Sequence, residues 1–151
     1  MKSNYKTLGN FIREVVNINN ELSVTNLRGI SSIYKEFIDS KANIVGVEFD
    51  DYKIVKTGQF AYNPNTARMG DKIPIALNSG ADCIVSKIYP VFEVVEKSRL
   101  LPEYLMLWFR RPEFDRYARF MSHGSAREVF SWEEMCNVEL PVPSIEKQKE
   151  V

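Results

Sequence analysis

The sequence has a single histidine, His123, and only two cysteines, Cys83 and Cys136, among 151 residues. One imidazole and two distant thiols do not supply the ligand set of a structural zinc site. Nor can a nucleophile, base and orienter be assembled around His123 in "SHGS", which reads as a helix end. The cysteines are flanked by apolar residues and read as small core hydrophobes, not as a disulfide framework. No glycine-rich turn follows a strand to hold an adenosyl cofactor, and no cofactor is expected. The chain lacks any run of about 18 apolar residues, and "MKSNYKTLGNFIREVV" has no continuous apolar h-region. The expected compartment is the cytoplasm, with no membrane partner. Net charge is absent too: 20 basic residues balance 20 acidic ones, which by itself counts against an anionic polymer as ligand.

What is present suits one soluble domain. The hydrophobic fraction is 44% and the charged fraction 26%, ordinary globular values, and a chain of this length buries roughly two-thirds of its unfolded surface. The charges are unevenly spread. Residues 53–72 carry four basic and one acidic side chain, and 110–127 five and two, whereas 128–151 carry two and six. If the fold brings the two basic segments to one side, a neutral protein acquires a basic face.

Leu8, Phe11, Ile12, Val15 and Val16 have the spacing of a short amphipathic helix. Residues 22–38 read as short strands joined by an exposed polar loop. "YKIVKTGQFAYN" reads as strand, turn, strand, and "PNTARMGDK" as a polar loop. "IPIAL" follows as a strand, and "CIVSKIYPVFEVV" as strands around Pro90. After Ser98 the apolar period lengthens to that of a helix. Pro102 opens one helix, with Leu101, Leu105, Trp108 and Phe109 along one face. Pro112 opens a second, with Phe114, Tyr117, Ala118 and Met121 as its buried stripe. Ser131 and Glu134 have capping-box spacing for a third, and "NVELPVP" reads as a last strand. Ser144 is a good N-cap for a helix beginning at the chain's end. The fold class is α/β (α+β): a β-rich N-terminal two-thirds with a mixed sheet, followed by helices packing on it.

Two fragments suggest catalysis and fall short of it. "YNPN", residues 62–65, resembles the Asn-Pro-Pro-aromatic signature of adenine methyltransferases but lacks the second proline and the aromatic. Asp51 and Lys53 form half of a nuclease-like acid-x-Lys signature, with Asp39 as the upstream carboxylate. Such triplets arise often by chance, and a solvated strand end is the simpler account.

The order of motifs is more specific than any one of them. "GQFAYNPNTARMGDKIPIAL", then "CIVSKIYPVFEV", then "LLPEYLMLWFRRPEFDRYARFMSHGSAREVFSWEEMCNVELPVPSIEKQKEV", resembles a target recognition domain of the specificity (S) subunit of type I restriction-modification systems, over essentially the whole chain. The resemblance implies a non-catalytic protein, with double-stranded DNA as ligand. Its expected protein partners are methyltransferase (M) subunits, restriction (R) subunits and a second S half. It implies a recognition domain over 1–143 that reads one half of a bipartite target. Residues 144–151 are then the start of a truncated spacer helix. The competing expectation is a degenerate half subunit that binds M or S subunits without reading DNA.

Base readout in the major groove uses Arg or Lys toward guanine, Asn or Gln toward adenine, and hydroxyls toward either. Asn63, Asn65, Thr66, Arg68 and Lys72 place that kit on one loop, although turn geometry alone also selects Asn, Pro and Gly. Ser31, Ser32, Tyr34 and Lys35 form a second candidate loop. "SHGSAR" offers Ser122, His123, Ser125 and Arg127 for phosphate contact. Asp115 and Arg119, at i and i+4, read as a surface ion pair.

Overall fold

The computed structural model of the chain describes residues 5–20, 23–39, 51–65, 72–122 and 129–151. Ten short strands come in chain order: β1 (Tyr5–Thr7), β2 (Ile12–Glu14), β3 (Arg28–Ile30), β4 (Phe37–Asp39), β5 (Lys53–Val55), β6 (Phe60–Tyr62), β7 (Ile75–Leu77), β8 (Cys83–Val85), β9 (Val91–Val94) and β10 (Glu139–Pro141). Between β9 and β10 lie α1 (Pro102–Phe109), α2 (Pro112–Ser122) and α3 (Trp132–Cys136), and α4 (Ile145–Lys149) follows β10. The central sheet runs β2-β9-β6-β7, and two-stranded ribbons β1-β10, β3-β4 and β5-β8 surround it. Every ladder between named strands is antiparallel. One parallel bridge, Leu27 to Ile84, links the β3 and β8 ribbons.

Strand β6, inside the central sheet, is buried on both faces, and the side chains alternate as the pleat requires. Phe60 and Tyr62 of β6, Ile75 of β7, and Phe92 and Val94 of β9 face a core shared with Leu105, Phe109, Phe114, Phe130 and Met135 from the helical side. Ala61 and Val91 face the other way, onto Val55, Cys83 and Val85. Phe92 lies at the centre of the larger core. It stacks on Phe60 with centroids 4.9 Å apart and meets Phe109 edge-on at 6.1 Å. Cys83 is a core residue, as its apolar flanks suggest, and burial pushes its thiol up to about 11.

The helices start where the sequence says they should. Proline opens α1 and α2. Ser131 caps α3 by accepting from the Glu134 N–H at 3.2 Å. Ser144 caps α4 by accepting from the Lys147 N–H at 3.4 Å.

One sequence expectation is corrected here. Residues 8–16 do not form a helix: a 3-10 turn over Leu8–Asn10 leads into β2, which pairs with β9. A regular helix would carry Gly9 and Asn10 in its interior, and both are poor helix formers. Instead Gly9 lets the turn lie against α3, where a Cβ would sit 3.0 Å from the Cys136 Cβ and carbonyl oxygen. The strand, turn and strand expected over 52–63 are present as β5, the turn at Gly58 and β6. Gly58, at φ +91°, passes the chain from one layer to the next, so β5 pairs with β8 while β6 pairs with β7 and β9.

Gln148 fixes α4 to the domain. Its amide nitrogen donates to the Arg99 and Pro143 carbonyls at 2.9 and 2.8 Å, and its oxygen accepts from the Leu101 N–H at 2.8 Å. Only 2% of the residue is exposed. Gln148→Ala strands all three backbone groups and is expected to cost about 2–4 kcal/mol. Urea unfolding measures that cost, and amide exchange over residues 145–149 should show α4 opening locally. Wild-type exchange in the variant would mean that the clamp does not hold the helix.

Candidate nucleic-acid interface

Asp115 organises the site. The sequence places it on the surface opposite Arg119, but it is buried and faces the interior. There it accepts from the Lys35 ammonium at 2.7 Å and from the Ile73 N–H at 3.1 Å. Lys35 also donates to the Phe109 carbonyl at 2.7 Å, and its ammonium lies 5.3 Å from the Phe114 ring centroid. One carboxylate therefore ties the β3–β4 turn, the chain entering β7 and the α1–α2 corner together. Desolvation holds the Lys35 ammonium below the usual lysine range, with its bond to Asp115 opposing that shift and the nearby Lys72 and Arg110 charges reinforcing it. At 3% exposure Lys35 cannot reach a base or a phosphate, so its expected DNA contact is replaced by a structural role.

The turn that carries Lys35 is closely hydrogen-bonded. Ser31 N–H donates to the Glu36 carbonyl and Lys35 N–H to the Ser31 carbonyl, both at 2.9 Å. The Ser31 hydroxyl accepts from the Tyr34 N–H at 3.1 Å. Lys35 has φ +53°, a left-handed conformation that disfavours most side chains, and its buried ion pair holds it there. Ser32 is half-buried beside it.

The other candidate loop leaves β6 through Asn63 and returns at Lys72. Asn63 N–H donates to the Pro74 carbonyl at 2.9 Å, and the Asn63 side-chain oxygen accepts from the Asn65 N–H at 3.0 Å. Asn65 forms an antiparallel bridge with Val129, and Phe130 N–H donates to the Pro64 carbonyl at 2.8 Å. Asn63 and Asn65 thus shape the loop's root. Lys72, at its far end, is exposed. Thr66 and Arg68 lie outside the described residues, as do His123, Ser125 and Arg127. Ser122 is 1% exposed and donates to the Ala118 carbonyl at 2.6 Å, which removes it from the phosphate-contacting set.

The bridge between Asn65 and Val129 brings the roots of the two basic segments together: the chain enters 66–71 beside the point where it emerges from 123–128. Arg110, Arg111 and Arg116 are exposed at the α1–α2 corner. Arg111 is committed to Glu113, at 2.6 and 3.0 Å, and to the Trp108 face, 5.1 Å from its centroid. Arg116 comes only within 4.0 Å of Glu113 and remains 72% exposed. Sequence reasoning missed Arg110, a strong candidate because it borders the same depression as Tyr34, Lys72 and Arg116. Its signal was the Arg-Arg-Pro spacing between two helices, which puts a cation at a corner.

The residues considered for a magnesium-dependent nuclease have other partners. Asp39 pairs with Arg28, Asp51 with Lys87 at 3.2 Å, and the Lys53 ammonium donates to the Tyr89 carbonyl at 3.0 Å. Among the described residues no group of three or more His, Cys, Asp or Glu side chains is placed to hold a metal ion, and no helix is long and apolar enough to cross a membrane.

No protein-family model matches the sequence, and no curated protein is similar to it in sequence. Solved structures do share its fold. The HsdS subunit from Thermoanaerobacter tengcongensis is 12% identical with a TM-score of 0.56, over 97% of this chain and 34% of that one. A chain from a structure describing complex assembly and conformational transition of a type I R-M system is 12% identical with a TM-score of 0.58, over 99% of this chain and 37% of that one. The chain thus spans about a third of the proteins it matches, and its fold is that of one segment of a type I restriction-modification HsdS subunit.

Proposed function

We propose that the chain is a DNA target recognition domain of a type I restriction-modification specificity subunit, reading one half of a bipartite site and catalysing nothing itself. The observation that carries this reading is the convergence along one side of α2. The 31–36 turn and the chain entering β7 are pinned to one buried carboxylate, the roots of 66–71 and 123–128 are bridged, and exposed Lys72, Arg110 and Arg116 border the depression beside the 31–36 turn. Rigid roots aim loop side chains at base edges, and the neighbouring cations hold the phosphates. The shared fold supports the same reading.

In this reading methyltransferase and restriction subunits supply the chemistry. Residues 144–151, anchored through Gln148, set the direction of a spacer helix toward a second S half. The test is equilibrium binding to a pool of short random duplexes across a salt series. A DNA reader enriches a defined half-site, and its log affinity falls linearly with log salt, with a slope of about −0.9 per phosphate contacted. Association with a methyltransferase subunit and no duplex binding at any salt would instead establish the degenerate half subunit.

A further inference from the structure

The tip of the β3–β4 turn presents a feature that base-edge hydrogen bonding does not use. Ile33 and Tyr34 are adjacent and 67% and 71% exposed, at turn positions where polar residues are usual. The residue after them is the buried Lys35. The ion pair that draws Lys35 inward therefore drives its two predecessors outward on a stiff, hydrogen-bonded turn. Lys72, Arg110 and Arg116 stand around the same depression. Among the described residues, the carboxylates nearby are exposed Glu36, at the turn, Glu113, which is taken up by Arg111, and Asp115, which is taken up by Lys35.

We infer that Ile33 and Tyr34 form an apolar wedge that inserts at a base step of the bound duplex, unstacking it and bending the DNA toward the cationic side chains on either side. The inference rests on the DNA-reading assignment above and adds a mode of recognition to it. Two exposed apolar side chains on a rigid tip, ringed by cations, match a polymer that is anionic outside and apolar between its stacked bases. Proteins that kink DNA insert such side chains between base steps. Deformation then contributes specificity where no hydrogen bond reaches, because pyrimidine–purine steps unstack more readily than others.

The test uses the whole chain and its selected half-site duplex, with 2-aminopurine placed in turn at each step and end-labelled duplex for bending by energy transfer. Binding should raise 2-aminopurine fluorescence at one step and shorten the end-to-end distance. Tyr34→Ala and Ile33→Ala should each abolish the fluorescence rise and weaken cognate binding about 10- to 100-fold, with an unchanged salt slope. Tyr34→Phe should retain both signals, which separates stacking from hydrogen bonding by the phenol. Both side chains are exposed, so the variants keep their fold, and circular dichroism checks this. Cognate binding without a fluorescence rise or bend, or variants that bind and bend like wild type, would overturn the wedge while leaving DNA reading in place. Loss of methyltransferase binding with DNA binding intact would reassign the tip to a protein contact. Failure of the unaltered chain to bind any duplex would overturn the DNA-reading assignment and the wedge with it.

Discussion

Asp115→Ala is expected to destabilise the domain by about 3–5 kcal/mol, because it leaves the Lys35 ammonium buried without its counter-ion and the Ile73 N–H without an acceptor. Lys35→Met is expected to cost less, since the methionine stem keeps much of the packing and the remaining carboxylate keeps the Ile73 bond. The double variant Lys35→Met/Asp115→Leu should recover part of the loss, as apolar replacement of a buried pair often does. Urea denaturation with a common slope measures all three. A single-variant cost below about 1 kcal/mol would mean that the pair is accessible to water and does not hold the turn.

The pair also predicts a pH effect of definite sign. Burial lowers the Lys35 pKa in the folded protein, so in the alkaline window below the ordinary lysine value the unfolded chain binds more protons than the folded one. Lys35 then contributes stability that increases with pH across that window. The contribution is read as the difference between wild type and Lys35→Met, because tyrosines titrate in the same region and cancel in the comparison. Each destabilised variant should also lose DNA affinity through loosened loops, to a similar extent for cognate and random duplexes.

That pair was not legible in the sequence. Lys35 and Asp115 are separated by 80 positions, and no local rule joins them. The local rule pointed elsewhere, to Arg119 one turn along α2. A better signal lay in the composition of that helix: Ala118 and Ser122, at i+3 and i+7 from Asp115, are small and buried with it, marking a face in close contact with its surroundings. Elements specified by nearby residues were readable: the prolines that open α1 and α2, the serine caps of α3 and α4, and the strand runs at 75–77 and 83–85. The first helix was misread because a 3-10 turn followed by a strand places Leu8, Phe11 and Ile12 in one core as effectively as a helix would. At the proposed site, the sequence named candidate loops and left open which side chains turn inward. Polarity does not decide that, as the opposite fates of adjacent Tyr34 and Lys35 show.

Removing the flanking cations should have the largest effect on binding. Lys72→Ala, Arg110→Ala and Arg116→Ala change exposed residues, so each should leave stability within about 0.5 kcal/mol of wild type. If each side chain neutralises one phosphate, the log-log salt slope of the combined variant becomes shallower by about three units. Between 50 and 200 mM salt its affinity then changes about 40-fold less than that of the unaltered chain. Sequence preference should survive, because phosphate contacts position the protein without reading bases. Arg68→Ala supplies the contrasting case: if its guanidinium pairs with one guanine edge, binding to the cognate duplex should weaken by about 1–3 kcal/mol and discrimination at that base pair should relax. A triple variant that keeps the wild-type salt slope would show that the phosphates lie against another face.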